Sequence, residues 1–166
     1  MENADKQEFI VIESIFDGKH QESAGSYLSR FYTRLRDRGE IWANKCPECG
    51  RIVLPPRIVC GFCKVKIEDS HEAWVKLQDE GTIVQFLFVT EHEIDQVTKE
   101  VIGDPNPNVF VRLDGGDQFS ILAHLLEEGI DLDRIVIGKT RVRAVWRPLE
   151  ERTGKMTDIH YFKIID

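Results

Sequence analysis

A mainly β protein, fronted by one amphipathic helix and a four-cysteine module, is the fold class that three features of the sequence predict. Residues 26–38, SYLSRFYTRLRDR, repeat their apolar positions at helical spacing. All four cysteines fall between Cys46 and Cys63, as two Cys-x-x-Cys pairs. Beyond residue 70, five or six short β-rich runs follow one another, and the spacing leaves no room for the long helices of βαβ units.

Ahead of the helix lies an arm, residues 1–23, in which FIVIESI (9–15) is apolar without clean alternation and reads as a short strand or an extended segment. The helix occupies 24–39. Tyr27, Leu28, Phe31, Tyr32 and Leu35 share one face, arginines take the other, and Gly39 is the stop signal. The aromatic stripe reads as packing surface rather than a cofactor box, set either against the chain's own domain or against another protein.

Residues 40–69 hold the cysteines. Tetrahedral zinc takes four sulfurs at about 2.3 Å, and each Cys-x-x-Cys turn supplies two of them. Cys46, Cys49, Cys60 and Cys63 are therefore expected to hold one Zn²⁺ in a rubredoxin-like ribbon. Gly50 allows a positive φ after the first pair, and Gly61 sits inside the second turn. Between the pairs the expected path is a hairpin, with Arg51 to Leu54 running out, Pro55-Pro56 turning and Arg57 to Val59 running back. Disulfides are disfavoured because the chain opens without a secretory pattern, which also leads to the expectation of a cytoplasmic location. A thioredoxin-type redox pair would open a helix, and Pro47 and the second matching pair argue against it. Four cysteine ligands close the metal shell, so the zinc is expected to be structural rather than catalytic. Iron in the same thiolates would instead make a red, rubredoxin-type electron carrier.

The runs HEAWVKLQ, TIVQFLFVTE, NVFVRLD, QFSILAHLL, TRVRAVW and DIHYFKII predict a small barrel over 70–149 and a C-terminal strand or tail over 150–166. A five-stranded Greek-key barrel of the oligonucleotide/oligosaccharide-binding type, the OB-fold, fits that count. The Asp114-Gly115-Gly116 turn joins two of the strands, and Asp131 to Arg134 make one short excursion. The loop Glu91–Asn108 is the longest irregular piece.

Composition limits what such a chain can do. Hydrophobic residues make up 42% and charged residues 31%, as in a water-soluble globular protein, and the longest apolar runs are too short to span a bilayer. The net charge is −7, yet residues 26–66 are basic between acidic flanks. An acidic body repels a long polyanion, so an OB-fold nucleic-acid-binding protein is the alternative and not the leading reading. A small phosphate-bearing ligand or an acidic protein surface suits the basic segment better, unless it is simply a solvated face.

No nucleophile beside a base and no carboxylate pair stands out. His20, His71, His92, His124 and His160 are scattered, and His124 reads as a satisfied barrel histidine. Arg141, Arg143 and Arg147 alternate with Val142, Ala144 and Trp146, which would put three arginines on one face. They suit bidentate phosphate contacts, or equally an edge strand charged against aggregation.

The order of these pieces, helix, KCPECGRIVLPPRIVCGFC, GTIVQFLFV and GKTRVRAVW, resembles the acyl-CoA-associated zinc-ribbon/OB-fold family, small partners of thiolases and thiolase-like enzymes. The motifs are Cys-x-x-Cys-Gly followed by Pro-Pro-Arg-x-x-Cys-x-x-Cys, the Gly81-Thr82 strand start, and Gly138 to Val142, over residues 24–148. The resemblance implies a non-catalytic subunit of a heterotetramer in which a thiolase-fold protein brings the chemistry. Helix and ribbon would dock on that partner, with Tyr27, Phe31, Tyr32 and Leu35 as anchors. The barrel would help enclose a CoA-thioester channel, with Arg141, Arg143 and Arg147 near the CoA phosphates and the Glu91–Asn108 loop over the pantetheine arm. A degradative thiolase of the benzoylsuccinyl-CoA type is the narrower expectation. Residues 1–23, the tail from Glu150 and the long 91–108 loop depart from the common core.

Overall fold

The computed structural model describes residues 23–87, 93–94, 98–103 and 108–165. The FIVIESI segment and half of the Glu91–Asn108 loop lie outside these residues. One helix, α1 (Gly25–Arg38), is followed by β1 (Ile41–Lys45), β2 (Ile52–Val53), β3 (Trp74–Leu77) and β4 (Glu80–Leu87). A two-stranded ribbon, β5 (Glu93–Ile94) with β6 (Val101–Gly103), leads to β7 (Asn108–Leu113), β8 (Ile121–Leu125), β9 (Arg141–Trp146) and β10 (Ile159–Ile164).

Five strands form the barrel, in the order β10-β9-β4-β7-β8. Beyond β8, Leu126 bridges Phe162 of β10 in parallel, and the Glu127 N–H donates to the Phe162 carbonyl at 2.9 Å, which closes the sheet on itself. This is the Greek-key arrangement expected of an OB-fold. The alternation that predicted the strands also selects the interior: Val109, Val111 and Leu113 of β7 and Val142 and Ala144 of β9 are buried. On β10 the buried pair Ile159 and Phe162 breaks the two-residue period, because a register shift between Ile159 and Tyr161 absorbs one residue. Gly81 serves close approach, since a Cβ there would lie 2.4 Å from the Arg112 carbonyl oxygen on β7.

The strand read at HEAWVKLQ forms but does not join the barrel. Its core, β3, pairs with β1, and β1 pairs with β2, giving a separate three-stranded sheet. The fifth barrel strand comes instead from the C-terminal residues, as β10. The sequence period marks both runs as strands equally well; pairing depends on contacts distant in the chain.

The helix is not an exposed docking arm. Phe31 and Leu35 are fully buried and Tyr27 nearly so, with Phe31 and Leu35 in one continuous core with Ile41 and Ala43 of β1, Leu77 of β3 and the barrel residues. The Tyr27 hydroxyl donates to the Ile67 carbonyl at 2.5 Å, and its ring stacks on Trp74 at 5.8 Å. Only Tyr32 of the four expected anchors is half-exposed. Helical periodicity shows that a stripe must be covered, and here the chain covers it itself. Among the described residues no helix is long and apolar enough to cross a membrane.

Two buried polar groups hold this packing in place. Asp158 accepts from the backbone N–H groups of Thr153 and Gly154, both at 2.8 Å, and of Lys155 at 3.3 Å, shaping the turn before β10. His124 faces inward from β8, its Nδ1 accepting from the Leu125 N–H at 2.8 Å and its Nε2 lying 3.0 Å from the Met156 carbonyl. Those partners fix the neutral tautomer with the proton on Nε2. Burial, above all, lowers the His124 pKa, and nearby His160 adds to the effect, while the Met156 carbonyl opposes it.

Two outcomes follow. Phe31→Ala should cost about 3–5 kcal/mol in urea unfolding of the metal-loaded protein, since it opens a cavity between helix, ribbon sheet and barrel. A loss under about 1 kcal/mol would show that the helix is not part of the core. Because the folded His124 binds its proton more weakly than the unfolded chain does, its contribution to stability is complete above about pH 6.5 and is lost as the pH falls below that value. Unfolding curves from neutral to mildly acid pH should therefore be flatter for His124→Gln than for wild type.

Candidate metal centre

Each Cys-x-x-Cys segment reverses the chain by itself. In the first, the Gly50 N–H donates to the Cys46 carbonyl at 3.0 Å and the Cys46 N–H to the Arg51 carbonyl at 2.9 Å. The second repeats the geometry with Lys64 N–H to the Cys60 carbonyl at 3.0 Å and Cys60 N–H to the Val65 carbonyl at 2.9 Å. Strand pairing follows from these turns: Ile52 and Val53 pair with Lys45 and Asn44, and Val59 bridges Lys66. The expected hairpin of 51–54 against 57–59 is thus replaced by two hairpins, one around each cysteine pair.

Gly61 sits inside the second turn, as expected. The residue after the second turn that takes the left-handed conformation is Lys64, φ 62°, matching Gly50, φ 69°. Glycine occupies that position without penalty, whereas a lysine there carries the cost of its Cβ.

The four sulfurs lie within 4.8 Å of one another, with Cys46 and Cys63 at 3.3 Å and Cys49 and Cys60 at 3.7 Å. All four cysteines are free thiols. A zinc tetrahedron with Zn–S bonds of about 2.3 Å has edges near 3.8 Å, so the donor set fits that ion. Backbone amides complete the fit. The N–H groups of Cys63 and then Phe62 lower the Cys60 thiol to about 6, and the Arg51 N–H heads the causes that lower Cys49. Amides aimed at sulfur favour the thiolate form that a metal requires.

Little else holds this module closed. Only Cys46, Cys60 and Ile67 are buried around the sulfurs, a satellite cluster separate from the main core. Within the module Asn44, fully buried, donates to the Arg57 carbonyl at 2.7 Å and accepts from the Arg57 N–H at 3.2 Å. The module joins the rest of the chain through Ile41 and Ala43 in the main core and through the Ile52 N–H, which donates to Asp117 of the β7–β8 loop at 2.9 Å. A groove of about 670 Å³ opens beside the first cysteine turn, but its lining includes Glu48, Glu68 and Glu72, which repel phosphates.

The arginines expected on one barrel face are engaged by the chain's own groups. Arg141 pairs with Asp114, stands 3.6 Å from Glu80, and donates to the Thr82 hydroxyl at 3.1 Å. Arg143 pairs with Glu80. Arg147 lies beyond the end of β9 and donates to the Thr157 carbonyl at 2.8 Å, with Glu151 3.7 Å away. The structure brings Arg141 and Arg143 together and leaves Arg147 with the turn before β10. A feature the sequence reading missed is a cluster at the ribbon–barrel junction, in which Arg51 lies over both Phe62 and Phe119, at 4.2 and 5.0 Å from the ring centroids.

Fold and donor set define a protein with a four-cysteine zinc ribbon, an N-terminal helix and an OB-fold barrel. Residues 34–68 match the family model of the ChsH2 rubredoxin-like zinc ribbon domain, so the ribbon is of that kind. Among solved structures, the chain is similar to a protein of unknown function from the DUF35 family of Sulfolobus solfataricus, with 19% identity, a TM-score of 0.52 and 84% of each chain covered. At that identity the likeness shows a shared fold. The chain is also similar to the Ltp2-ChsH2(DUF35) aldolase, with 20% identity, a TM-score of 0.49, and coverage of 79% of this chain and 92% of that one, a likeness too distant to carry an argument. No curated protein matches.

Cys60→Ser should abolish stoichiometric zinc and open residues 40–69 to limited proteolysis, with the barrel the more resistant part, because isolated structural fingers draw about 10–16 kcal/mol from their metal. Wild type purified under reducing conditions should be colourless with one zinc per chain. A red protein carrying iron would mean an electron-transfer centre instead.

Proposed function

We propose that this chain is a non-catalytic, zinc-stabilised partner subunit of a thiolase-fold enzyme acting on acyl-CoA thioesters. The observation that carries the reading is the ChsH2-type ribbon set in front of a DUF35-type barrel, in the order that marks the acyl-CoA-associated zinc-ribbon/OB-fold proteins. The chemistry of the described residues supports a structural role. The four thiols form a closed ligand set, His124 spends both ring nitrogens on backbone groups, and Asp158 spends its carboxylate on backbone amides. In this reading the partner supplies the nucleophile and the proton-transfer groups, and this subunit supplies shape beside the substrate channel. A heterotetramer built on the enzyme's dimer and a degradative substrate with an aromatic acyl group are the finer parts of the proposal.

The buried helix changes how such a subunit would dock. Phe31 and Leu35 are spent inside the chain, so docking falls to surfaces outside the helix stripe. A CoA phosphate at β9 would have to displace Asp114 and Glu80, so the reading does not rest on Arg141, Arg143 or Arg147. Nucleic-acid binding is disfavoured by the same pairing and by the net charge of −7.

The test is co-expression with a thiolase-fold protein of the same organism, taken first from the genes neighbouring its own. Each protein alone should fail to turn over acyl-CoA, and the two together should elute as one complex with activity, its mass by light scattering matching two copies of each. Thioester turnover by this chain alone, or no complex with the thiolase-fold chain, would overturn the proposal.

A further inference from the structure

Among the described residues many cations of the helix and barrel have an acid at hand, although Arg38, Arg112, Arg134 and Lys139 have no carboxylate within 4 Å. Arg30, Arg34, Arg36, Arg141, Arg143 and Arg147 all face a carboxylate within 4 Å. On the ribbon, by contrast, Lys45, Arg51, Arg57 and Lys64 have no carboxylate partner among the described residues, and Glu48 is the one acid between Ile41 and Lys66. The unpaired charges surround apolar side chains that a monomer gains nothing by exposing. Phe62 is 53% exposed and Phe119 37%, their rings 4.8 Å apart, and Ile58 and Val59 are about half exposed in the segment leading into Cys60.

Arg51 joins the two halves of this surface. Its guanidinium lies over Phe62 of the ribbon and Phe119 of the barrel loop. Stacked this way, the side chain has lost its rotamer freedom before any partner arrives, while hydrogen-bonding capacity at its edges is unspent on carboxylates. The loop that carries Phe119 is itself tied to the ribbon, through the Ile52 N–H to Asp117 and the Ser120 hydroxyl to the Ile52 carbonyl at 3.4 Å. A cavity of about 570 Å³ runs beside the platform, with Lys45, Gly50, Asp117 and Phe119 among its lining. A preordered arginine, two phenyl rings and a receiving cavity make the kind of centre in which interface energy concentrates.

We infer that the Arg51–Phe62–Phe119 platform is the protein-docking surface of this chain, and that it takes an apolar face of the partner subunit bordered by aspartate or glutamate. The inference rests on the function proposed above and locates the contact. Charge complementarity selects the occupant, since Lys45 and Arg51 have no carboxylate within 4 Å among the described residues, and Asp117, the acid on the cavity wall, already accepts from the Ile52 and Phe119 N–H groups. A single-stranded nucleic acid is the weaker fit. It would need ring faces free for base stacking, and the guanidinium already takes one face of each ring.

The experiment measures binding of the zinc-loaded chain to the purified thiolase-fold protein of the co-expression test, by surface plasmon resonance at low and at high salt. Arg51→Glu and Phe119→Ser should each weaken Kd by about 30-fold or more. Wild-type affinity should fall with added salt, and Leu149→Ser, at an exposed leucine elsewhere, should bind like wild type. Zinc content is measured for every variant. Phe119 lies on the barrel loop, outside the ligand set, so its variant decides the matter even where Arg51→Glu disturbs the metal. Unchanged affinity for Phe119→Ser, with wild type bound, overturns the platform and leaves the function standing. Failure of wild type to bind overturns the function and this inference with it. Salt-sensitive binding of a labelled oligothymidylate that Arg51→Glu abolishes would overturn it in favour of nucleic acid.

Discussion

Everything in the front half of the molecule depends on four sulfurs meeting at one point. A module of about thirty residues cannot bury enough apolar surface to offset its chain entropy, and this one buries just Cys46, Cys60 and Ile67 around the ligands. Its turns are made by backbone hydrogen bonds within each Cys-x-x-Cys segment, which fix each pair locally but do not bring one pair to the other. Metal coordination supplies that missing long-range contact. With the two turns joined, Arg51 and Phe62, one from each turn, come to lie against each other.

The ribbon is nonetheless not an independent bead. Its strands β1 and β2 share a sheet with β3, whose Leu77 belongs to the main core, and α1 closes over the join through Tyr27, Phe31 and Leu35. Arg30 extends the clamp by stacking on Trp74 at 4.6 Å while pairing with Asp69 at 2.7 Å, and Asp69 also accepts from the Trp74 indole at 2.6 Å. Exposed ion pairs of this kind add little to stability. They orient side chains around a join that apolar burial already holds.

How much of this was legible in the sequence follows from the range over which each signal acts. The metal site was fully legible, because Cys-x-x-Cys is a local motif whose chemistry dictates a shared ligand. Strand positions were legible from alternation, and α1 from its stripe and Gly39, whose φ of 60° ends the helix. What could not be read was which surface covers which. A strand pattern at Trp74–Leu77 does not say whether it pairs with β1 or with the barrel, and a buried helix face looks in sequence like one waiting for a partner. The β9 arginines were misjudged for the same reason, since Asp114 and Glu80 are distant in the chain. Arg51, Phe62 and Phe119 carry no motif at all. The nearest sequence signal was the excess of basic residues over 26–66.

Electrostatics then divides the surface. On β9, two cations are answered by nearby acids, Arg141 by Asp114 and Arg143 by Glu80, and the Asp114 pKa is held low chiefly by its hydrogen bond to Arg141. A charged ligand at Arg141 or Arg143 must therefore displace an existing partner. On the ribbon the cations are left open beside exposed aromatic rings. A subunit whose stability came from burying its own cations would not keep this arrangement, because the uncompensated charges repel one another and the apolar rings gain nothing from water. Both costs are removed when an acidic, apolar surface covers the platform. Among the described residues the core is thus closed, and the face left open is the one where the ribbon meets the barrel loop, Arg51 lying over Phe62 and Phe119.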